Sequence, residues 1–430
     1  MMQYKAIEVF TSSEARWEGR ALGEALLRFI CDSKIAARCM VTHASEGCYE
    51  SGEMATRKLE VLSYNLPVRI YMILPEWELE RVLPTVKKMV TDGIVVLHTL
   101  QVVTHKTRNR FIPRHIPVKE AMTIHPSTVH PSTPVSEVVK LLLSAHFTGV
   151  PVVDDEHRPV GVISQGDLIN RAGMPLRLCL LAESDQSRVD SFLETMSSRK
   201  ASEVMSSPAV TIEEDKRLTD AVEIMMLEKR LKRLPVVNAH GKLVGILSCM
   251  DIFRLITKTS PDWHAFQEQN IQVENLVSVS EIMRQDTHTV HPRTPIEEII
   301  GIIHSSDMRR VAVVDSQGFY QGIISDENLL AAFSDYQAGL WDYIVSKMPF
   351  TEAGRKHREF LQQMKARLAS EVMDASHITV LQDATIEDAI GVMTKNDLKR
   401  LPVVDSEGRY RGMVSRESLL KRGYTQCKMP

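Results

Sequence analysis

Residues 234–251 read LPVVNAHGKLVGILSCMD, and the rest of the chain is organised around what this stretch repeats. A β-branched run ends at Asn238, a polar turn follows, and a second apolar run, GILS, closes at Ser248. Two such runs flanking a short turn predict a β-hairpin. The step from Pro235 to Ser248 is thirteen residues, and the same step joins Pro151 to Ser164, Ala312 to Ser325 and Pro402 to Ser415. Working outward, each hairpin is preceded by a short helical start ending in Met (KEAM at Met122, SEVM at Met205, SEIM at Met283, SEVM at Met373), then by a Thr: Thr128, Thr211, Thr289 and Thr379. Segments such as PVSEVVKLLLSAHF and TIEDAIGVMTKNDL place apolar residues at helical spacing ahead of the hairpins, and a further helix follows each closing Ser. Each unit therefore reads as strand, helix, strand, strand, helix.

A second level of repetition joins the units. FLETMSSRKASEVM, from Phe192, leads into unit two, and FLQQMKARLASEVM, from Phe360, leads into unit four with the same thirteen-residue step to its Met. The four units are thus two duplicated pairs. A small sheet with helices on one face leaves apolar surface uncovered, so each unit is expected to be completed by its neighbour, with the pair as the folding unit.

With these motifs in place, the units at 118–173, 201–256, 279–333 and 370–420 resemble cystathionine β-synthase (CBS) domains, which occur as tandem pairs called Bateman modules. The resemblance rests on the joint recurrence of the LPVVD-type hairpin, the GhhS strand end and the Met-to-Thr opening. It implies a regulatory module holding adenosine-containing ligands in clefts between paired repeats: AMP, ADP or ATP, or else S-adenosylmethionine or a cyclic dinucleotide.

A nucleoside phosphate offers a flat base, a ribose diol and anionic oxygens, so it calls for a carboxylate to accept the hydroxyls and for amides, a hydroxyl or an Arg at the phosphate. Ser164 is followed three residues on by Asp167, and Ser248 by Asp251, the position that the resemblance assigns to ribose. The same Ser-x-x-Asp spacing is a helix-capping box, and the sequence leaves both readings open. After Ser325 and Ser415 the place of the acid is taken by Asn328 and Ser418, which removes the carboxylate from the second pair. A basic residue stands before three of the hairpins, at Arg233, Arg310 and Arg400, against Gly149 in unit one; it is a phosphate ligand or a solvated surface charge. By resemblance Val150, Leu234 and the four Thr residues join the ligand-contacting set. On this count the first pair is the better nucleotide site, while the second takes a different ligand, binds more weakly or only packs.

The first hundred residues have another rhythm. YKAIEVF, IAARCMV, KLEVLSYNLPVRIYMIL and GIVVLHTLQVVTH read as strands, and EARWEGRALGEALLRFICDS and WELERVLPTVKKMV as helices. This βαββαβ order predicts a ferredoxin-like fold. Gly19 and Gly23, the stretch from His43 to Arg57 and LSYNLPVRIYMIL make residues 3–105 resemble the PII-like family called Domain of Unknown Function 190. The resemblance implies a trimer with a small-effector cleft beneath a loop, although CDSKIAARCM departs from the family's usual glycine-rich, basic approach to that loop. The expected architecture is α+β: a PII-like ferredoxin-fold domain at 1–110, a first CBS pair at 111–260 and a second at 261–430.

Composition narrows the function. Among 430 residues, 52 Lys+Arg against 55 Asp+Glu leave a formal charge of −3, so no global field favours a nucleic-acid backbone or an anionic membrane. The start MMQYKAIEVF has no basic segment leading into an apolar one, and no long uncharged apolar run follows, which predicts a cytoplasmic protein without a membrane span. Six cysteines are too sparse for a disulfide framework and are read as reduced thiols. Cys39, His43 and Cys48 fall short of the four tightly spaced ligands of a structural zinc site, and no metal is expected. His125, His130, His288 and His291 flank repeat openings as structural or solvated groups, and the four Trp (Trp17, Trp77, Trp263, Trp341) read as core or interface. None of GxSxG, HExxH, GxxxxGK[ST] or a GxGxxG after a strand occurs. The expectation is a non-enzymatic, homo-oligomeric sensor that passes nucleotide occupancy to its N-terminal domain or to a separate protein target, with helical connectors such as DYQAGLWDYIVSKM as levers. The alternatives are an oligomeric scaffold with vestigial clefts and an enzyme regulated by its repeats.

Overall fold

A computed structural model of the chain describes residues 2–56, 65–109, 111–112, 116–144, 149–172, 193–194, 197–228, 231–285, 288–305, 310–325, 328 and 367–427. Phe192, Trp341, Phe360 and the DYQAGLWDYIVSKM connector lie outside the described residues. The chain divides into two compact units, one of residues 1–109 with 258–276, the other of 110–257 with 277–430.

In the first unit the strands Arg38–His43, Pro67–Pro75, Met2–Ser12 and Ile94–Val102 form one antiparallel sheet in that spatial order. Alternation sends Ile7, Val9, Ile70, Met72 and Leu74 to the face covered by the helices Leu22–Asp32 and Leu79–Met89, where they bury against Leu26, Ile30, Val82 and Val86. This is the ferredoxin-like βαββαβ arrangement expected from the sequence. Gly23 lets the first helix approach the sheet, since a Cβ there would lie 2.9 Å from a Val41 methyl. On the opposite sheet face the buried Glu8 carboxylate takes Arg69 on one oxygen and His98 Nε2, at 3.1 Å, on the other.

Residues 258–276 straddle the sequence boundary between the two CBS pairs, yet they pack with this first unit. Asp262 caps the helix Trp263–Glu268 through the Ala265 amide at 3.0 Å, and Gln272–Glu274 adds a parallel strand to Lys106–Arg108. Trp263, Phe266 and Ile271 bury together with Ala36, which is why an outlying segment holds its place here.

The second unit contains the four repeats, each with the hairpin that the thirteen-residue step predicts: Gly149–Val153 with Pro159–Ser164, Arg233–Val237 with Leu243–Ser248, Arg310–Val314 with Tyr320–Ser325, and Arg400–Val404 with Tyr410–Ser415. The lead-ins are not confined to their own repeats. Thr123 pairs with Ile246 of repeat two and Ser206 bridges Val162 of repeat one, while Arg284 bridges Met413 of repeat four and Asp374 bridges Ile323 of repeat three. Each chain then returns to its own sheet, where Val129, Ile212, Val290 and Val380 lie parallel to Val152, Val236, Val313 and Val403.

The crossing is seated by the Met that ends each lead-in. A Cβ on Gly161 would meet Met205 Sδ at 2.5 Å, and one on Gly245 would collide with Met122 Sδ. On Gly322 it would come within 2.6 Å of the Asp374 carbonyl and 3.1 Å of Met373 Sδ, and on Gly412 it would strike the Arg284 carbonyl. The glycine of each GhhS strand is therefore the bed on which the neighbour's lead-in lies.

Reciprocal backbone clasps reinforce each pair. Leu218 N donates to Ile116 O at 2.9 Å and Ala201 N to Thr133 O at 2.8 Å, while Ile386 N donates to Val277 O at 3.1 Å and Ala369 N to Thr294 O at 2.9 Å. The four repeats also form a single compact unit rather than two independent pairs. Leu218, Val222, Phe253 and Ile256 of repeat two share a continuous core with Ile390, Met393, Leu420 and Tyr424 of repeat four, and Tyr424 Oη donates to Glu223 Oε2 at 2.8 Å.

Two outcomes follow from this packing. Gly322→Ala should cost about 1–3 kcal/mol by overpacking against a backbone carbonyl, whereas Gly391→Ala, on a helix with nothing within 4 Å of the new Cβ, should gain about 0.5–1 kcal/mol. Urea midpoints for the two variants check this, and equal midpoints would remove the glycine beds from any role in the crossing. Burial pushes the Cys249 thiol up to about 12 and the Cys39 thiol up to about 11. The unfolded chain therefore releases these protons first, and stability should fall as pH climbs from about 9 towards those values. Alkylation at pH 8 should modify the exposed Cys31 and Cys48 while sparing Cys249 until the chain unfolds, as peptide mapping would report.

Candidate functional site

The end of each closing strand is where the chemistry collects. Gly149, Arg233, Arg310 and Arg400 are the register partners of Ser164, Ser248, Ser325 and Ser415. Residues directly opposite in an antiparallel pair share one sheet face, so each basic side chain starts beside the Ser that opens the next helix. The sequence treated these as separate features; the hairpin makes them one rung.

Beyond the rung the capping box is present. Ser164 N donates to Asp167 Oδ2 at 2.8 Å, Ser164 Oγ to the same oxygen at 2.5 Å, and Asp167 N returns a bond to Ser164 Oγ at 3.3 Å. Repeat two repeats this with Ser248 and Asp251 at 2.8, 2.6 and 3.4 Å. Asn328 makes the same three bonds with Ser325 at 2.9, 2.6 and 3.4 Å, its amide oxygen standing in for a carboxylate oxygen. In repeat four Ser415 N donates to Ser418 Oγ at 3.1 Å, and Ser418 N donates back to Ser415 Oγ at 3.1 Å. Capping therefore accounts for Oδ2 of each aspartate.

It does not account for Oδ1. Thr123 Oγ1, on the lead-in of repeat one, donates to Asp251 Oδ1 at 3.1 Å, and Ser206 Oγ, on the lead-in of repeat two, donates to Asp167 Oδ1 at 2.7 Å. In both repeats the second carboxylate oxygen faces the seam between repeats and accepts an alcohol. Arg254 Nη1 lies 3.5 Å from Asp251 Oδ1, and Arg171 Nε lies 3.9 Å from Asp167 Oδ1. Asp251 is only 7% exposed, so a hydrogen bond there is little screened by water.

The sequence missed Thr123 and Ser206, and their counterparts Arg284 and Asp374. The available signal was their shared place, the residue after each Met, but its meaning depends on the crossing to the other repeat. In the second pair the acid's place holds Asn328 or Ser418, and the lead-in hydroxyl's place holds Asp374 or Arg284.

Other proposed contacts fall out differently. Val150 and Leu234 are 1% and 0% exposed, with side chains in the repeat cores, so only their backbone is open to a ligand. Thr128, Thr211 and Thr379 are half-buried just ahead of the parallel strand of their own repeat, and Thr289 is exposed at the start of that strand. Cys39 and His43 lie on Arg38–His43 and Cys48 on Glu46–Cys48, and among the described residues no three His, Cys, Asp or Glu side chains gather as a metal site. His130 bonds Ser132 Oγ at 2.8 Å and lies 3.2 Å from Asp155, a local loop contact. No helix among the described residues is long and apolar enough to cross a membrane.

Comparison with known proteins matches residues 4–102 to DUF190 (Uncharacterized ACR) and residues 118–173, 201–258, 279–335 and 369–424 to the CBS domain, the latter covering more than half of the chain. An uncharacterized protein of Methanocaldococcus jannaschii, MJ1404, is 27% identical over 307 residues, which is 71% of this chain and 61% of that protein's length. The chloroplastic CBS domain-containing protein CBSX1 of Arabidopsis thaliana is 33% identical over 149 residues, 32% of this chain and 62% of its own length. The crystal structure of CBSX2 of Arabidopsis thaliana in complex with AMP is 29% identical, covers 32% of this chain and 94% of that one, and has a TM-score of 0.26. The matched segments coincide with the crossed repeats and the antiparallel sheet described above, and the chain belongs to the CBS-domain proteins, carrying four such domains behind a DUF190 domain.

Proposed function

We propose that the protein is a non-enzymatic sensor that binds an adenosine-type nucleotide in the first CBS pair and transmits occupancy by rearrangement of the domains. One observation carries this reading: Asp167 and Asp251 each keep an oxygen turned to the seam between repeats, already accepting an alcohol from Ser206 or Thr123. A ribose diol presents the same donor chemistry twice over and would take the place of those hydroxyls. The cation at Arg233, across from Ser248, suits the anionic end. Binding at the seam bears on both repeats together, so a ligand that fits one arrangement of the pair better than another shifts the balance between them. A coupling of about 1–3 kcal/mol is typical of such devices.

A second reading, a scaffold whose clefts hold nothing, draws on the second pair, where Asn328 and Ser418 preserve the helix cap without a carboxylate. That pair is assigned to packing or to a ligand without a diol.

The AMP held by CBSX2 names the first probe. Asp251→Asn should keep the cap, because Asn328 forms it, and its amide nitrogen can donate to the Thr123 hydroxyl. The variant should fold with a loss of about 1 kcal/mol, because a buried charged acceptor becomes a neutral one. Made in an Asp167→Asn background, where no second intact cleft takes the AMP, it should weaken AMP binding by roughly 1.5–3 kcal/mol, the worth of a hydrogen bond to a charged group. Titration calorimetry on the full chain reads the affinity and thermal melting the stability. Unchanged affinity assigns Asp251 to capping alone, and no thermal stabilisation by AMP, ADP, ATP or S-adenosylmethionine gives the scaffold reading the field.

A further inference from the structure

Three of the four hairpin rungs begin with an Arg, and the exception is Gly149 in repeat one. The space beside that glycine is taken. A Cβ on Gly149 would lie 2.9 Å from Arg233 Nη1, 3.1 Å from the Ile163 carbonyl and 3.5 Å from Ser164 Cα. The guanidinium of repeat two thus leaves its own rung with Ser248, crosses the first pair and comes to rest against the Gly149–Ser164 rung of repeat one. There it lies against Gly149, the register partner of the Ser164 that opens the capped helix, while still lying in the field of Asp251.

We propose that Arg233 is one anion-binding cation shared by both clefts of the first pair, so that a single phosphate-bearing ligand occupies this pair at a time. The inference rests on the nucleotide reading and deepens it. Gly149 is then no gap in the motif: an Arg there would need the volume that Arg233 already fills. One guanidinium presents one fork of donors, which a phosphate in either cleft saturates. A second phosphate would arrive where the positive charge is already neutralised and another anion sits. Burial opposes charge on Arg233 while the Asp251 carboxylate favours it, as expected of a cation held partly away from water beside an acid. The second pair has Arg310 and Arg400, one cation on each rung, so the restriction applies to the first pair alone.

Asp167→Asn and Asp251→Asn each disable one cleft while keeping its cap, and together they make the test. Native mass spectrometry of the full chain with AMP should count as many bound AMP in either variant as in wild type, because the wild-type pair holds only one. Arg233→Met, placed in either variant, should weaken AMP binding at least tenfold in calorimetry, and Arg233→Lys should restore part of it. One more AMP on wild type than on each variant would overturn the sharing. So would an Arg233→Met effect confined to the Asp167→Asn background, where only the cleft of repeat two remains. The counting arm leaves Arg233 intact and decides the matter even if Arg233→Met fails to fold. Wild type that binds no AMP overturns the nucleotide reading itself, and the sharing with it.

Discussion

A methionine lying on a glycine is the contact on which the repeat unit depends. Met122, Met205, Met283 and Met373 each reach a neighbour's closing strand at a position where a side chain would collide with sulfur or backbone. Because the residue after the Met then joins that neighbour's sheet, no repeat completes its sheet and seam alone. The site chemistry is a product of this exchange. Oδ1 of Asp251 meets a hydroxyl from residue 123 and Oδ1 of Asp167 one from residue 206 only because the lead-ins have changed sides.

The repeats were legible because a hairpin register is local: thirteen residues from Pro235 to Ser248 fix which side chains face each other, and four copies make the pattern hard to miss. The order of strands and helices in the first hundred residues was legible for the same reason, through alternation in YKAIEVF and helical spacing in WELERVLPTVKKMV. The crossing was not, since nothing near Gly245 in the sequence says that the sulfur above it belongs to Met122. Nor could the sequence show that Asp251 caps its helix with one oxygen and turns the other to the seam, because that second partner, Thr123, comes from another repeat. Trp263, Phe266 and Ile271 looked like any core residues, and only their burial with Ala36 reveals which core.

The two pairs have kept the same backbone and exchanged the chemistry laid on it. In the first, carboxylate faces hydroxyl at both seams. In the second the cap is built from Asn328 or Ser418, and the lead-in brings Asp374 or Arg284. The second pair instead stacks Tyr320 on Tyr410, ring centroids 6.1 Å apart, where the two hairpins meet. Tyr320 N donates to Gly408 O at 3.2 Å and Tyr410 N to Gly318 O at 2.9 Å, and burial pushes the Tyr320 phenol up. The first pair makes a leaner version of this meeting, Leu243 N to His157 O at 2.9 Å. Aromatic area at the hairpin tips is found in the pair whose caps carry no acid at this position.

The excursion of residues 258–276 makes the covalent route between the two compact units unusual. The backbone passes from one to the other at 109/110, returns at 257/258 and leaves again at 276/277. The chain thus crosses between the units three times, at the start of repeat one, in the last helix of repeat two and at the lead-in of repeat three. The N-terminal unit is accordingly no detachable appendage: severing the chain ahead of repeat one would strip Trp263 and Phe266 of their cover and leave an oily, unpaired loop in the middle of what remained.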